Sequence, residues 1–397
     1  MTETQGWTAP GWEGVKDVFQ ANFDNGSEVG AAFSAYHRGE KVVDLWGGIA
    51  DQDTGAPWNE DTLIPVFSTT KGATAICANK LAQEGKLDVE APVVTYWPEF
   101  GQAGKETMPV SYLLSHQAGL AWVDDPMTLE EALAWDPVIR ALEKQAPGWE
   151  PGTKHGYHAT TYGWLVGEVI KRIAGKSVGT YFNDEIATPL DLDFWIGLPE
   201  SEESRVGKLI SMIPKPSGDP NDPAAAEAAA QMAEMMNAFM GPDTMLGKAL
   251  YAPGGALSDQ DVWNTRAMHA AEVPAANGIT DARSLARVYG ACVSEVDGFR
   301  VLTADQVKAA TVQRTTGPNF ILMDMEVEFG LGFMLHAGII PLGGPNSFGH
   351  FGAGGSVGWA DPDVELGVGY VMNRMDIGLA GDTRSFNLMT ACYGAIG

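Results

Sequence analysis

A chain of 397 residues, 45% apolar and 19% charged, is long enough for one large domain or two closely packed ones with sizeable cores. Its 51 acidic residues against 25 basic ones give a net charge of −26, which argues against nucleic acid or anionic membrane as a partner, because both would repel it. Three cysteines, Cys77, Cys292 and Cys392, are too few and too scattered for a disulfide framework or a zinc site.

In chain order, the opening "MTETQGWTAPGW" has neither the charged nor the apolar region of a signal peptide, and no apolar run reaches membrane-spanning length. A soluble, cytoplasmic protein is the expectation. Residues 28–48, "EVGAAFSAYHRGEKVVDLWGG", read as two strands around a turn at Arg38-Gly39-Glu40. After "TLIPVF" comes "STTKGATAICANKLAQEGKL", whose apolar residues recur at helical spacing until Gly85 ends the helix. From about 80 to 260 the pattern is mostly helical, with Pro-Gly loops such as "APGWEPGT" (146–153). A polar loop then leads into an Ala/Met helix over 216–242, whose Met232, Met235, Met236 and Met240 are expected on one broad face. The stretch 280–293 reads as a helix, and strand-like segments follow at 329–335, 347–362 and 365–373. Strands at both chain ends and helices between them predict an α+β fold. Its antiparallel sheet is built from the two termini and flanked by helices, with a mostly helical domain inserted. The expected division is 1–79 with 265–397 for the sheet part and 80–264 for the helical part, with the active site between them.

Two serines compete as nucleophile. "GGSVG" (354–358) fits G-x-S-x-G, but a working elbow needs a strand, a sharp turn bearing serine, and then a helix. Here β-type residues and Asp361-Pro362-Asp363 follow, which is a hairpin. The last histidine, His350, also lies upstream of Ser356, so the order Ser…Asp/Glu…His cannot be met. Ser356 is therefore expected to be structural. Ser68 and Lys71 form the one S-x-x-K of the chain, at a strand-to-helix junction that favours an N-cap or first-turn serine. Residues three apart share a helix face, so the amine reaches the hydroxyl. The apolar helix around Lys71 implies burial, which lowers a lysine pKa toward the range of a working base. Tyr157 sits in a loop before an amphipathic helix, and a phenol beside a lysine can relay a proton. The Gly-rich "GHFGAGG" (349–355) permits a backbone N–H to face a substrate carbonyl. The remaining histidines show no ligand spacing, so neither a metal nor a cofactor is expected.

Together these segments resemble the serine β-lactamase and penicillin-binding-protein-like hydrolases, in particular their class C-type branch and the family VIII carboxylesterases. The resemblance runs from about residue 28 to the end. It is carried by Ser68-Thr69-Thr70-Lys71, "VSYLLSHQAGL" (110–120), "PGT…GYHA" around Tyr157, "PAANGITDARSLARVYG" (274–290) and His350-Phe351-Gly352. It implies that Ser68 is acylated, Lys71 is its base, Tyr157 relays the proton, and the backbone N–H groups of Ser68 and Ala353 form the oxyanion hole. His350, Phe351 and Gly352 would then border the substrate in the third-motif position, where β-lactamases usually carry Lys-Thr-Gly. His158 is a candidate contact to the leaving group. The second motif reads Tyr157-His158-Ala159 where β-lactamases usually have Tyr-x-Asn, which removes an amide suited to an acylamino side chain. These departures point to small, neutral, short-acyl esters as the small-molecule substrate. A β-lactamase, a D-Ala-D-Ala peptidase, an acyltransferase and a catalytically silent binding protein are the alternatives on the same residues.

Overall fold

A computed structural model describes residues 3–211, 223–337, 341–378 and 381–397. The main sheet contains β1 (Gln5–Thr8), β2 (Gly30–His37), β3 (Glu40–Asp51), β4 (Met334–Leu335), β5 (Phe348–Phe351), β6 (Val357–Asp361) and β7 (Leu366–Met372). They run in the order β1-β3-β2-β7-β6-β5-β4, every neighbouring pair antiparallel. The sheet thus joins the two ends of the chain, as expected. The β2–β3 turn places Arg38 (φ 53°) and Gly39 (φ 83°) both in the left-handed region, the geometry that matches the right-handed twist of a tight hairpin.

Packing of this sheet follows from the alternation in β7. Leu366, Val368 and Tyr370 are buried on one face with Val15 and Phe19 of α1 (Glu13–Asp24). Gly367 and Gly369 lie on the other. A Cβ at 367 would strike the backbone of Gly290, and one at 369 the carbonyl of Ala282. The glycines therefore let a helix lie directly on the strand. That helix spans Ala282–Val293 and is capped by the Asp281 side chain. Beyond it lies a second core containing Ile76 and Leu81 of α2 (Thr70–Gln83) and Leu165 and Val169 of α3 (Thr161–Ala174). The C-terminal helix Thr383–Ile396 adds Leu388, Met389 and Cys392 to the core beside α1.

One expectation needs correction. The segment 329–335 is strand only at Met334–Leu335. Of the two placements expected for Ser68, the first turn holds: it lies in a 3-10 turn, Phe67–Thr69, that runs into α2, while Thr69 occupies the cap position without a side-chain capping bond. On the helix Pro223–Met240, Met236 and Met240 are buried and Met235 is 59% exposed. The Met232 side chain lies outside the described residues. Among the described residues, no helix is long and apolar enough to cross a membrane.

Candidate active site

The turn bearing Ser68 is held at both ends. Before it, Ile64–Pro65 pairs antiparallel with Ile279–Thr280, and the Val66 N–H donates to the Gly278 carbonyl at 2.9 Å. Within it, Phe67 takes a φ of 45°, a strained value for a bulky residue that persists only where the surroundings impose it. After it, Thr70 Oγ1 donates to the Phe67 carbonyl (2.5 Å) and accepts from the Gly278 N–H (2.8 Å). Thr74 Oγ1 donates to the Pro274 carbonyl at 2.6 Å, which clamps the segment 274–278 against α2. That clamp carries the Ala275 carbonyl to Lys71.

Lys71 is wholly buried. Its Nζ lies 2.9 Å from Ser68 Oγ, 2.6 Å from the Ala159 carbonyl and 2.9 Å from the Ala275 carbonyl. Burial alone holds its pKa well below the ordinary lysine value, favouring the neutral amine. A neutral amine has two N–H bonds and one lone pair. The two carbonyls can only accept, so they take both N–H bonds. The lone pair is then left facing the Ser68 hydroxyl, which is the arrangement of a general base.

Tyr157 completes the group. Its hydroxyl hydrogen-bonds Ser68, and burial pushes its pKa upward, so it stays a phenol that can donate a proton. Lys71 Nζ sits 4.8 Å from the centre of its ring. The loop is fixed from behind: Tyr157 N–H donates to Asn319 Oδ1 (3.0 Å), and His158 N–H donates to His116 Nδ1 (3.1 Å). Asn319 also accepts from the N–H groups of Ile321 and Leu322, so one amide ties two loops together.

The other expected contacts divide. His158 accepts from the Leu120 N–H through Nε2 (2.9 Å), which leaves Nδ1 as the donor to the Gly156 carbonyl (2.6 Å). Both ring nitrogens are thus engaged in bracing the loop, and His158 is not free to meet a leaving group. His350 is buried with its ring 6.0 Å from that of Tyr157, and burial with Lys71 nearby lowers its pKa to about 3. The ring is therefore held neutral and presents no cation to a substrate. Phe351 lies on the opposite face of β5, buried against Phe386 and away from Ser68. Gly352 has no room for a side chain: a Cβ there would meet Ser356 Oγ and the Val66 carbonyl. Ser68 and Ala353 both line one cavity of about 70 Å³, walled by Phe67, Ala159, Met240 and Trp263. A wider cavity of about 260 Å³ shares Phe67, Gln260, Trp263 and Met375 with it and carries Asp51, Asp53, Asp261 and Lys208. Among the described residues, no group of three or more His, Cys, Asp or Glu side chains is placed to hold a metal ion.

Sequence reasoning missed Ala159, Ala275 and Asn319. The first two act through backbone carbonyls, which leave no side-chain signature; the third sits 162 residues from the tyrosine it positions.

The Beta-lactamase family model matches residues 15–386, and the chain belongs to that family. It is 36% identical over 367 residues to the Esterase/beta-lactamase LipL of Mycobacterium tuberculosis, covering 91% of this chain and 81% of that one. Its fold matches the crystal structure of a family VIII carboxylesterase with a TM-score of 0.86 at 37% identity, over 99% of this chain and 100% of that one. A penicillin-binding protein homologue from Caulobacter crescentus gives a TM-score of 0.86 at 35% identity, over the same shares.

Proposed function

We propose that this member of the Beta-lactamase family is a serine carboxylesterase acting on small, neutral, short-acyl esters. The observation that carries the reading is the environment of Lys71: buried, without a carboxylate among its hydrogen-bond partners, its two carbonyls leaving the lone pair for Ser68. In the first step Ser68 gives its proton to Lys71 and attacks the ester carbon. The N–H groups of Ser68 and Ala353 receive the oxyanion. Tyr157 protonates the departing alkoxide and is reprotonated by the Lys71 ammonium. Water then follows the reverse route, which releases the acid and restores Ser68.

Several features support the ester over the β-lactam. No cationic side chain stands at position 350, and Ala159 adds an apolar wall where an amide would greet an acylamino group. The wider cavity carries three aspartates against one lysine, a balance that disfavours an anionic substrate. The small volume of the cavity beside Ser68, about 70 Å³, favours a short acyl chain. The name of the family VIII carboxylesterase accords with this reading, whereas LipL is named as both esterase and beta-lactamase. The proposed organisation sets this site where residues 1–79 and 265–397 meet residues 80–264, in a cytoplasmic enzyme.

The test compares kcat/KM for p-nitrophenyl butyrate with that for nitrocefin, and maps the residue labelled by a fluorophosphonate. The reading expects a strong preference for the ester and labelling at Ser68. Preference for nitrocefin would move the assignment to a β-lactamase, and no labelling at all would indicate a silent protein.

A further inference from the structure

Ser356, the serine of the G-x-S-x-G match, sits where the two halves of the proposed oxyanion hole touch. One half is the turn Phe67–Thr69, which bears Ser68; the other is the turn Ala353–Gly355, at the end of β5. Ser356 is 1% exposed and Thr69 is fully buried. The Ser356 hydroxyl donates its one proton to the Val66 carbonyl at 2.9 Å. Its oxygen lies 3.0 Å from Thr69 Oγ1, so Thr69 must be the donor of that second bond. The Ser356 carbonyl accepts from the Gly352 N–H at 2.7 Å, closing the turn that carries Ala353. A single serine therefore grips Val66 and Thr69, the residues on either side of the strained Phe67 and the nucleophile. It does so from the turn that presents the other donor. The absence of a side chain at Gly352 is what lets these groups approach.

We infer that Ser356 is a positioning residue that fixes the separation of the Ser68 and Ala353 N–H groups through its bonds to Val66 and Thr69. This rests on the oxyanion hole proposed above. An oxyanion donor contributes only when aimed at the place the charge will develop, and losing one outright costs about 10²- to 10³-fold in kcat. Loosening the grip between two donors displaces them without removing either, so the loss is smaller. It falls on the transition state and leaves binding of the uncharged ester nearly untouched.

The experiment measures p-nitrophenyl butyrate hydrolysis and inhibition by butylboronic acid on the wild type, Ser356→Ala, Thr69→Val and Thr69→Ser. The boronic acid forms a B–O bond to Ser68 as the serine proton passes to Lys71, so that boron becomes tetrahedral and anionic and imitates the reacting centre. Ser356→Ala and Thr69→Val are each expected to lower kcat about 10- to 100-fold, with KM within about threefold. Both should weaken the boronic acid by a similar factor. Thr69→Ser keeps the donor and should stay near the wild type. The Ser356→Ala/Thr69→Val double variant should be little worse than the poorer single one, because the two hydroxyls act as a unit. Unchanged kcat in both single variants overturns the inference, and so does a loss confined to KM or one that spares boronic acid affinity. If Ser356→Ala does not fold, the Thr69→Val and Thr69→Ser pair decides the matter. Fluorophosphonate labelling of wild-type Ser68 separates this outcome from failure of the nucleophile assignment. Labelling with unaffected variants sinks the positioning role alone, whereas no labelling sinks the mechanism beneath it.

Discussion

Lys71 and Arg384 are both basic side chains withdrawn from water, Lys71 wholly and Arg384 to 5% exposure, yet their surroundings are opposite. Lys71 is given a hydroxyl and two carbonyls. Arg384 is given ion pairs to Glu28 (3.2 Å) and Asp382 (2.6 Å) and donates to the carbonyls of Arg374 and Gly354. A buried amine without a counter-ion sheds its proton and becomes a base. A buried guanidinium with counter-ions keeps its charge and becomes a brace. Similar burial thus yields chemistry in one place and architecture in the other, and the partners decide which.

The largest expected effect comes from removing the base. Lys71→Met, close in length and apolar, should cost on the order of 10⁴-fold in kcat/KM while leaving the fold intact. Lys71→Arg should be equally inactive, because a guanidinium does not deprotonate; an active Lys71→Arg enzyme would break the distinction between the two centres. Next in size is Tyr157→Phe, which removes the proton carrier but keeps the ring, with an expected loss of about 10²-fold or more. That loss should be smaller for substrates with good leaving groups such as p-nitrophenol, and larger for simple alkyl esters.

The residues that announced themselves are those whose side chains carry chemistry at local spacing. Ser68 and Lys71 are three residues apart, and Tyr157 stands beside a helix start. The tight hairpin at Arg38-Gly39 and the glycine stop at Gly85 are equally local, set by backbone conformations at left-handed φ. What stayed hidden depends on partners far along the chain. Thr69 and Ser356 are 287 residues apart, and the Ala275 carbonyl reaches Lys71 only because Thr74 holds the Pro274 carbonyl. Phe351 is a different case. It neighbours His350 on one strand, and the twofold alternation of a strand already implies that both cannot face the site. The resemblance to Lys-Thr-Gly grouped them, while the pleat separates them.

The smallest effect belongs to the braced centre. Burial raises the pKa of Glu28 from its ordinary 4.5 to about 7, despite the opposing pull of Arg384. Between those values the folded protein holds a proton that the unfolded chain has released. This contribution to stability is full below about pH 4.5 and is lost as pH rises through about 7. Thermal unfolding of Glu28→Gln followed from pH 4.5 to 8 should lack that component. An identical pH slope in wild type and variant would show Glu28 to be ionised throughout.

The central claim, that a neutral Lys71 activates Ser68, is tested most directly by the pH dependence of Ser68 inactivation by a fluorophosphonate. This isolates the first attack from product release. The account predicts a rate that is flat at alkaline pH and falls at acid pH, with an inflection well below the ordinary lysine value of 10.5 and matching that of kcat/KM for p-nitrophenyl butyrate. A rate still climbing through pH 10, with its inflection at the value of a solvated lysine, would contradict it.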